Sequence, residues 1–136
     1  MIADHKLYNL AKTRFEEAKI LLNNNKFDGA IYLCGYALEL ILKKHIVQAL
    51  KWEGYPETKS EFENYKSFKT HNLDVLLNLA GLQKYMTSDT LAFARWQIAK
   101  NWDSEIRYKE VGKLAKTDAE GIIEATKETI NFILRA

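Results

Sequence analysis

Apolar side chains recur every three or four positions in several stretches of the chain, the spacing that lines them along one face of an α-helix. Leu7, Ala11, Phe15, Ala18 and Leu22 form the first such stripe, with Lys12, Glu16 and Lys19 on the opposite face. A first helix is therefore predicted from about Asp4, a good N-cap residue, to the run Asn23-Asn24-Asn25, since asparagine tolerates the left-handed conformation of a helix end. A second helix is predicted over residues 27–50, with Asp28 at its positive end and Lys43 and Lys44 toward the other. Between Ala30 and Leu42 nearly every position is apolar or aromatic, and Glu39 is the one charge. A helix apolar all round is buried on all sides. Either it runs through the middle of a bundle, or one of its faces meets a second subunit.

The stretch 51–69 breaks the pattern with Gly54, Pro56, four glutamates and scattered aromatics, and reads as a surface connection. A helical turn is predicted after Ser60, which has capping-box spacing to Glu63. A third helix follows over residues 72–82, with Leu73, Leu76, Leu77 and Ala80 inward and Gly81 near its end. A fourth covers 88–102, with Leu91, Ala94, Ile98 and Trp102 on its inward face. After a mixed segment around Gly112, a fifth starts at Thr117, in capping-box register with Glu120, and buries Ile122, Ile123, Thr126, Ile130 and Ile133. The expectation is an all-α, up-and-down bundle of about five helices with one long connection, a single domain spanning residues 1–136.

Composition agrees with this. One proline and six glycines in 136 residues leave too few turn formers for a β-rich fold. A net charge of +2 is too mild to demand a nucleic-acid partner. The single cysteine, Cys34, has apolar and aromatic neighbours and reads as a core residue in a reducing compartment. No secretory signal stands at the N-terminus, and the most apolar run falls short of the ~20 residues that span a membrane. A cytoplasmic location is expected.

Candidate chemistry is sparse. Phosphate-cradling glycine motifs and cysteine clusters are absent, and His5, His45 and His71 are far apart, so neither metal nor cofactor is expected. Tyr32, Tyr36, Glu39 and Lys43 share one helical stripe; Glu39 and Lys43 have the spacing of an intrahelical ion pair, or of a polar stripe facing a cleft. His71 precedes the third helix, where a histidine can cap, act as a base or bind phosphate, while Thr70 and Asn72 are alternative caps. Arg107 beside Tyr108 suits phosphate binding and base stacking, or a salt bridge to Asp103 or Glu105. Arg95 and Lys100 are further cations on the fourth helix.

Three segments resemble the HEPN family, the higher-eukaryote-and-prokaryote nucleotide-binding helical domains. FEEAKILLNNNKFDGAIYLCGYALELILKKHI, residues 15–46, is similar to the first helical pair of that family. HNLDVLLNLA from His71 resembles its third helix, and NWDSEIRY, residues 101–108, its arginine–tyrosine segment. The resemblance implies a nucleotide- or RNA-binding module, or the partner of a minimal nucleotidyltransferase in a toxin–antitoxin pair. Ligand contacts would come from His71, Arg107, Tyr108, Tyr36 and Lys43. Some family members are metal-independent ribonucleases whose arginine is followed by a histidine after four to six residues, at a dimer interface. No histidine follows Arg14, Arg95 or Arg107 at that spacing; Lys100, Asn101 and Trp102 occupy the positions after Arg95. A non-catalytic role is therefore expected, with a divergent ribonuclease using His71 and Arg107 or Arg95, or a purely structural interaction protein, as alternatives. The resemblance and the all-apolar helix together predict a homodimer, with the fourth helix and part of the second near its axis.

Overall fold

The computed structural model describes residues 1–101 and 114–136. The described residues form six α-helices: α1 (Asp4–Asn23), α2 (Phe27–Ala49), α3 (Leu73–Leu79), α4 (Gln83–Thr87), α5 (Thr90–Ala99) and α6 (Lys116–Leu134), with a 3-10 turn at Lys66–Phe68. The all-α bundle expected from the apolar spacing is what forms. No described helix is long and apolar enough to cross a membrane.

α1 and α2 make a helical hairpin. Asn25, at φ +59°, supplies the left-handed residue that reverses the chain, and Lys26 N–H returns to the Leu21 carbonyl at 2.8 Å. α2 runs through the middle of the fold, covered by α1, α3 and α6. Leu38, Leu42, Ile46 and Ala37 are wholly buried. Its all-round apolarity is thus met by helices of the same chain, the first of the two alternatives. Where α1, α2 and α6 meet, the small residues Ala18, Ala30 and Cys34 pack with Ile123 and let the helices approach closely. Burial pushes the Cys34 thiol up to about 12, with a hydrogen bond from Thr126 opposing.

Several local expectations change. Ala3, not Asp4, occupies the N-cap of α1. The expected third helix is α3, which ends at Leu79; Gly81 turns the chain at φ +71°, and α4, Gln83–Thr87, is a short helix not expected between the third and the fourth. On α5 the inward face is Ala92, Trp96 and Ala99, while Leu91 is 59% and Ile98 45% exposed. The expected face was thus rotated, because Leu91, Ala94 and Ile98 keep helical spacing as well as the residues that actually pack. Asp89 is the N-cap of α5, accepting from Ala92 N–H at 2.9 Å. α6 begins at Lys116 without a side-chain cap, so the Thr117–Glu120 box does not form. Around residue 60 the cap comes from Thr58, whose Oγ1 accepts from Glu61 N–H at 3.2 Å.

The connection 51–69 lacks long helices, yet it is more than a surface strand. Tyr55 is among the most deeply buried side chains. Trp52, Tyr55, Tyr65 and Phe68 pack edge-to-face, the favoured aromatic arrangement, with centroids 4.9–6.5 Å apart. Ile2 and Tyr55 pair through two 2.8 Å backbone hydrogen bonds that tie the amino end to this connection. Gly54 makes that approach possible: a Cβ there would stand 2.8 Å from the Ile2 carbonyl oxygen.

Candidate functional site

Glu39 sits midway along α2, wholly inside the fold. An ionised carboxylate so placed costs several kcal/mol unless it is paired and hydrogen-bonded. Two partners meet it. Lys43, one turn on, brings its Nζ to 3.0 Å from Oε2. His71, reaching across from the segment before α3, brings its Nδ1 to 3.0 Å from Oε2 and 3.2 Å from Oε1. An ionised carboxylate only accepts, so Nδ1 carries the proton and donates.

Local sequence explains why His71 is free to do this. Asn72 takes the N-cap of α3, its Oδ1 accepting from Val75 N–H at 3.0 Å, while Thr70 Oγ1 accepts from Asn72 N–H at 3.1 Å. Capping is done by the neighbours, and the imidazole turns toward α2. Its side chain is still 69% exposed, against 1% for Glu39. With Nδ1 engaged, Nε2 is the ring atom left to meet a ligand. The carboxylate thus fixes both the tautomer and the direction of the imidazole.

The 51–69 connection completes the wall. Lys43 Nζ lies 5.1 Å from the centroid of the Tyr55 ring, within cation–π range. The Tyr55 hydroxyl donates to the Phe68 carbonyl. Burial pushes the Tyr55 phenol well above its ordinary value, and the negative charge of Glu39 adds to that, so it stays a neutral donor. On the other side, Asp74 in the first turn of α3 accepts from Trp96 Nε1 at 3.2 Å and from Lys100 Nζ at 3.1 Å. The end of α5 is thereby tied to the first turn of α3.

Of the residues singled out in the sequence, the fold brings Lys43 and His71 together at Glu39. Tyr36 lies on the same stripe three positions before Glu39 and is half-buried against the core. Arg95 is elsewhere, 3.8 Å from Glu128 across the α5–α6 seam. Arg107 and Tyr108 lie outside the described residues. Sequence spacing gave Glu39 a partner in Lys43 but not in His71; the available signal was a lone carboxylate in an otherwise apolar helix, which demands more than one counter-group. Among the described residues no three metal-ligating side chains gather.

A family model described as HEPN domain matches residues 5–136, nearly the whole chain. No curated protein and no solved structure matches.

Proposed function

Because the chain belongs to the HEPN domain family, whose members are nucleotide- and RNA-related helical modules, we propose that it is a non-catalytic module binding a nucleotide or RNA segment at His71. One observation carries this reading: an imidazole that is 69% exposed yet held at 3.0 Å by a buried carboxylate. A side chain so anchored loses little freedom when its Nε2 accepts from a ribose hydroxyl or a base N–H, so the hydrogen bond is gained at small entropic cost. Lys43 offsets the charge of Glu39, so the buried carboxylate does not stand against an anionic ligand unopposed. Arg107 and Tyr108 would add a phosphate contact and a stacking surface.

Fluorescence anisotropy with a labelled single-stranded RNA, and calorimetry with nucleoside triphosphates, test it. His71→Ala should weaken binding by up to about tenfold, the order of one hydrogen bond. Affinity should fall as salt rises. Equal affinity of wild type and His71→Ala would remove the site, and no binding of any probe would leave the structural interaction protein.

A second reading, a divergent metal-independent ribonuclease, has its own observation: a carboxylate-oriented imidazole is suited to general acid–base work. Arg95 and Arg14 are engaged elsewhere, with Glu128 and Glu17, and no histidine follows Arg107 at the four-to-six-residue spacing. Binding without cleavage is therefore preferred. RNA cleavage in EDTA that His71→Ala abolishes would reverse this choice.

The assembly we propose is a homodimer with α5 near its axis. Support comes from the outward face of that helix, where Leu91, Ala94 and Ile98 lie uncovered at helical spacing. A minimal nucleotidyltransferase, as the other half of a toxin–antitoxin pair, is the protein partner that the family admits.

A further inference from the structure

α1 and α6 both lie on α2, but a groove separates them along much of their length. Its floor is apolar: Ala11 and Phe15 of α1, Ile41 of α2 and Ile130 of α6. Tyr8 and Leu134 stand at one end, each more than a third exposed. The groove has two lobes, of about 240 and 230 Å³, which share Phe15, Lys19 and Lys127 and are therefore continuous. From Tyr8 to Asn23 along α1 it extends about 22 Å at 1.5 Å per residue, four turns of helix.

Its charges are unevenly placed. Around the Tyr8–Leu134 lobe stand Lys12, Lys19 and Lys127 with only Glu16 among them. All three lysines are exposed, and none has an ion-pair partner among the described residues. The far lobe adds Glu120 and Glu124, the first of them 3.9 Å from Lys116. One half is cationic and the other close to neutral.

We propose that this groove docks one amphipathic helix of a partner protein, about four turns long, with its acidic residues over Lys12, Lys19 and Lys127. The apolar floor takes the partner's apolar stripe, spaced i, i+3, i+4 and i+7. The lysines select acidic flanks and fix which end of the helix lies by Leu134, since electrostatic complementarity sets orientation. A nucleic-acid backbone is disfavoured, because it would offer no apolar contact to the exposed Tyr8 and Leu134 or to the uncovered parts of Phe15 and Ile130. The surface is distinct from the His71 cluster, which lies where α2 meets α3.

Two labelled 15-residue peptides test this, identical in their leucine stripe but flanked by glutamates in one and lysines in the other. Anisotropy should show the glutamate peptide binding at least about tenfold more tightly, with its helicity rising on binding. Lys12→Glu with Lys127→Glu should reverse that preference. Leu134→Glu, at an exposed site, should abolish binding, whereas His71→Ala should leave it unchanged. Equal binding of both peptides, no binding of either, or indifference to Leu134→Glu would overturn the proposal. So would a wild-type dimer that Leu134→Glu converts to monomer, because a second copy would then be the occupant.

Discussion

His71 and Glu39 stand 32 positions apart in the chain and meet at 3.0 Å, the imidazole donating from Nδ1 to a carboxylate that α2 has taken out of water. Neither residue would be held as it is without the other. The buried charge needs a second donor besides Lys43, and the exposed ring needs an anchor.

This interdependence has a measurable cost. Lys43→Ala leaves Glu39 buried with only the histidine beside it, and should destabilise the fold by about 3 kcal/mol, the range for half of a broken buried pair. Glu39→Leu combined with Lys43→Met replaces the pair by apolar groups of similar volume and should cost far less, or nothing. Urea denaturation of the two variants checks the contrast; equal losses would mean that the carboxylate is solvated in practice.

A second histidine contributes to acid sensitivity. His45 on α2 has its pKa lowered below 6.5, first by burial and then by the neighbouring charge of Lys44. The folded state therefore takes up a proton less readily than the unfolded one. Stability from this group is fully present above pH 6.5 and is lost as pH falls toward the lowered folded value. Melting temperature should decline over that interval, and His45→Gln should flatten the decline. An unchanged slope in the variant would assign the acid sensitivity to other groups.

Gly54→Ala should destabilise by about 1–3 kcal/mol, as overpacking does. Its new methyl meets a backbone carbonyl of Ile2, which cannot swing aside as a side-chain end could. Amide hydrogen exchange should rise at Ile2 and Tyr55, whose mutual hydrogen bonds would open. Protection unchanged at both amides would show that the backbone absorbs the methyl.

The outward face of α5 predicts assembly. Sedimentation at micromolar concentration should give about twice the 15.8 kDa chain mass, and Leu91→Glu with Ile98→Glu should return it to that of one chain. Because both side chains are exposed, the double variant should melt within about 1 kcal/mol of the isolated wild-type fold. A wild type that remains monomeric at high concentration would sink the homodimer.

Much of the fold was legible because helical periodicity is a local signal. The α1–α2 hairpin follows from two apolar patterns and three asparagines. Harder to read were features in which several residues satisfy one rule. Leu91, Ala94 and Ile98 keep helical spacing, as do Ala92, Trp96 and Ala99, and periodicity cannot say which set faces inward. Thr117 and Thr58 each sit in cap-like contexts, and only the second is used. The candidate site was half visible: Glu39 and Lys43 obey the four-residue rule, whereas His71 reaches them through a tertiary contact that no spacing encodes. The matched residues 5–136 bear out the family resemblance, while Arg107 and Tyr108 stay expectations of the sequence.

The tight turn at Asn25 also orders events in time. Closing the α1–α2 hairpin brings together residues a few positions apart, whereas the His71–Glu39 contact closes a loop roughly ten times longer, at an extra entropic cost of about 2 kcal/mol. The hairpin can therefore nucleate folding while the connection and α3 are still searching. In a chevron plot, changes at Ala18 or Ala30 should slow folding, but His71→Ala should act almost wholly on the unfolding arm. The segment that presents the imidazole is then the last to arrive, docking its leucines and its ring onto a hairpin already formed.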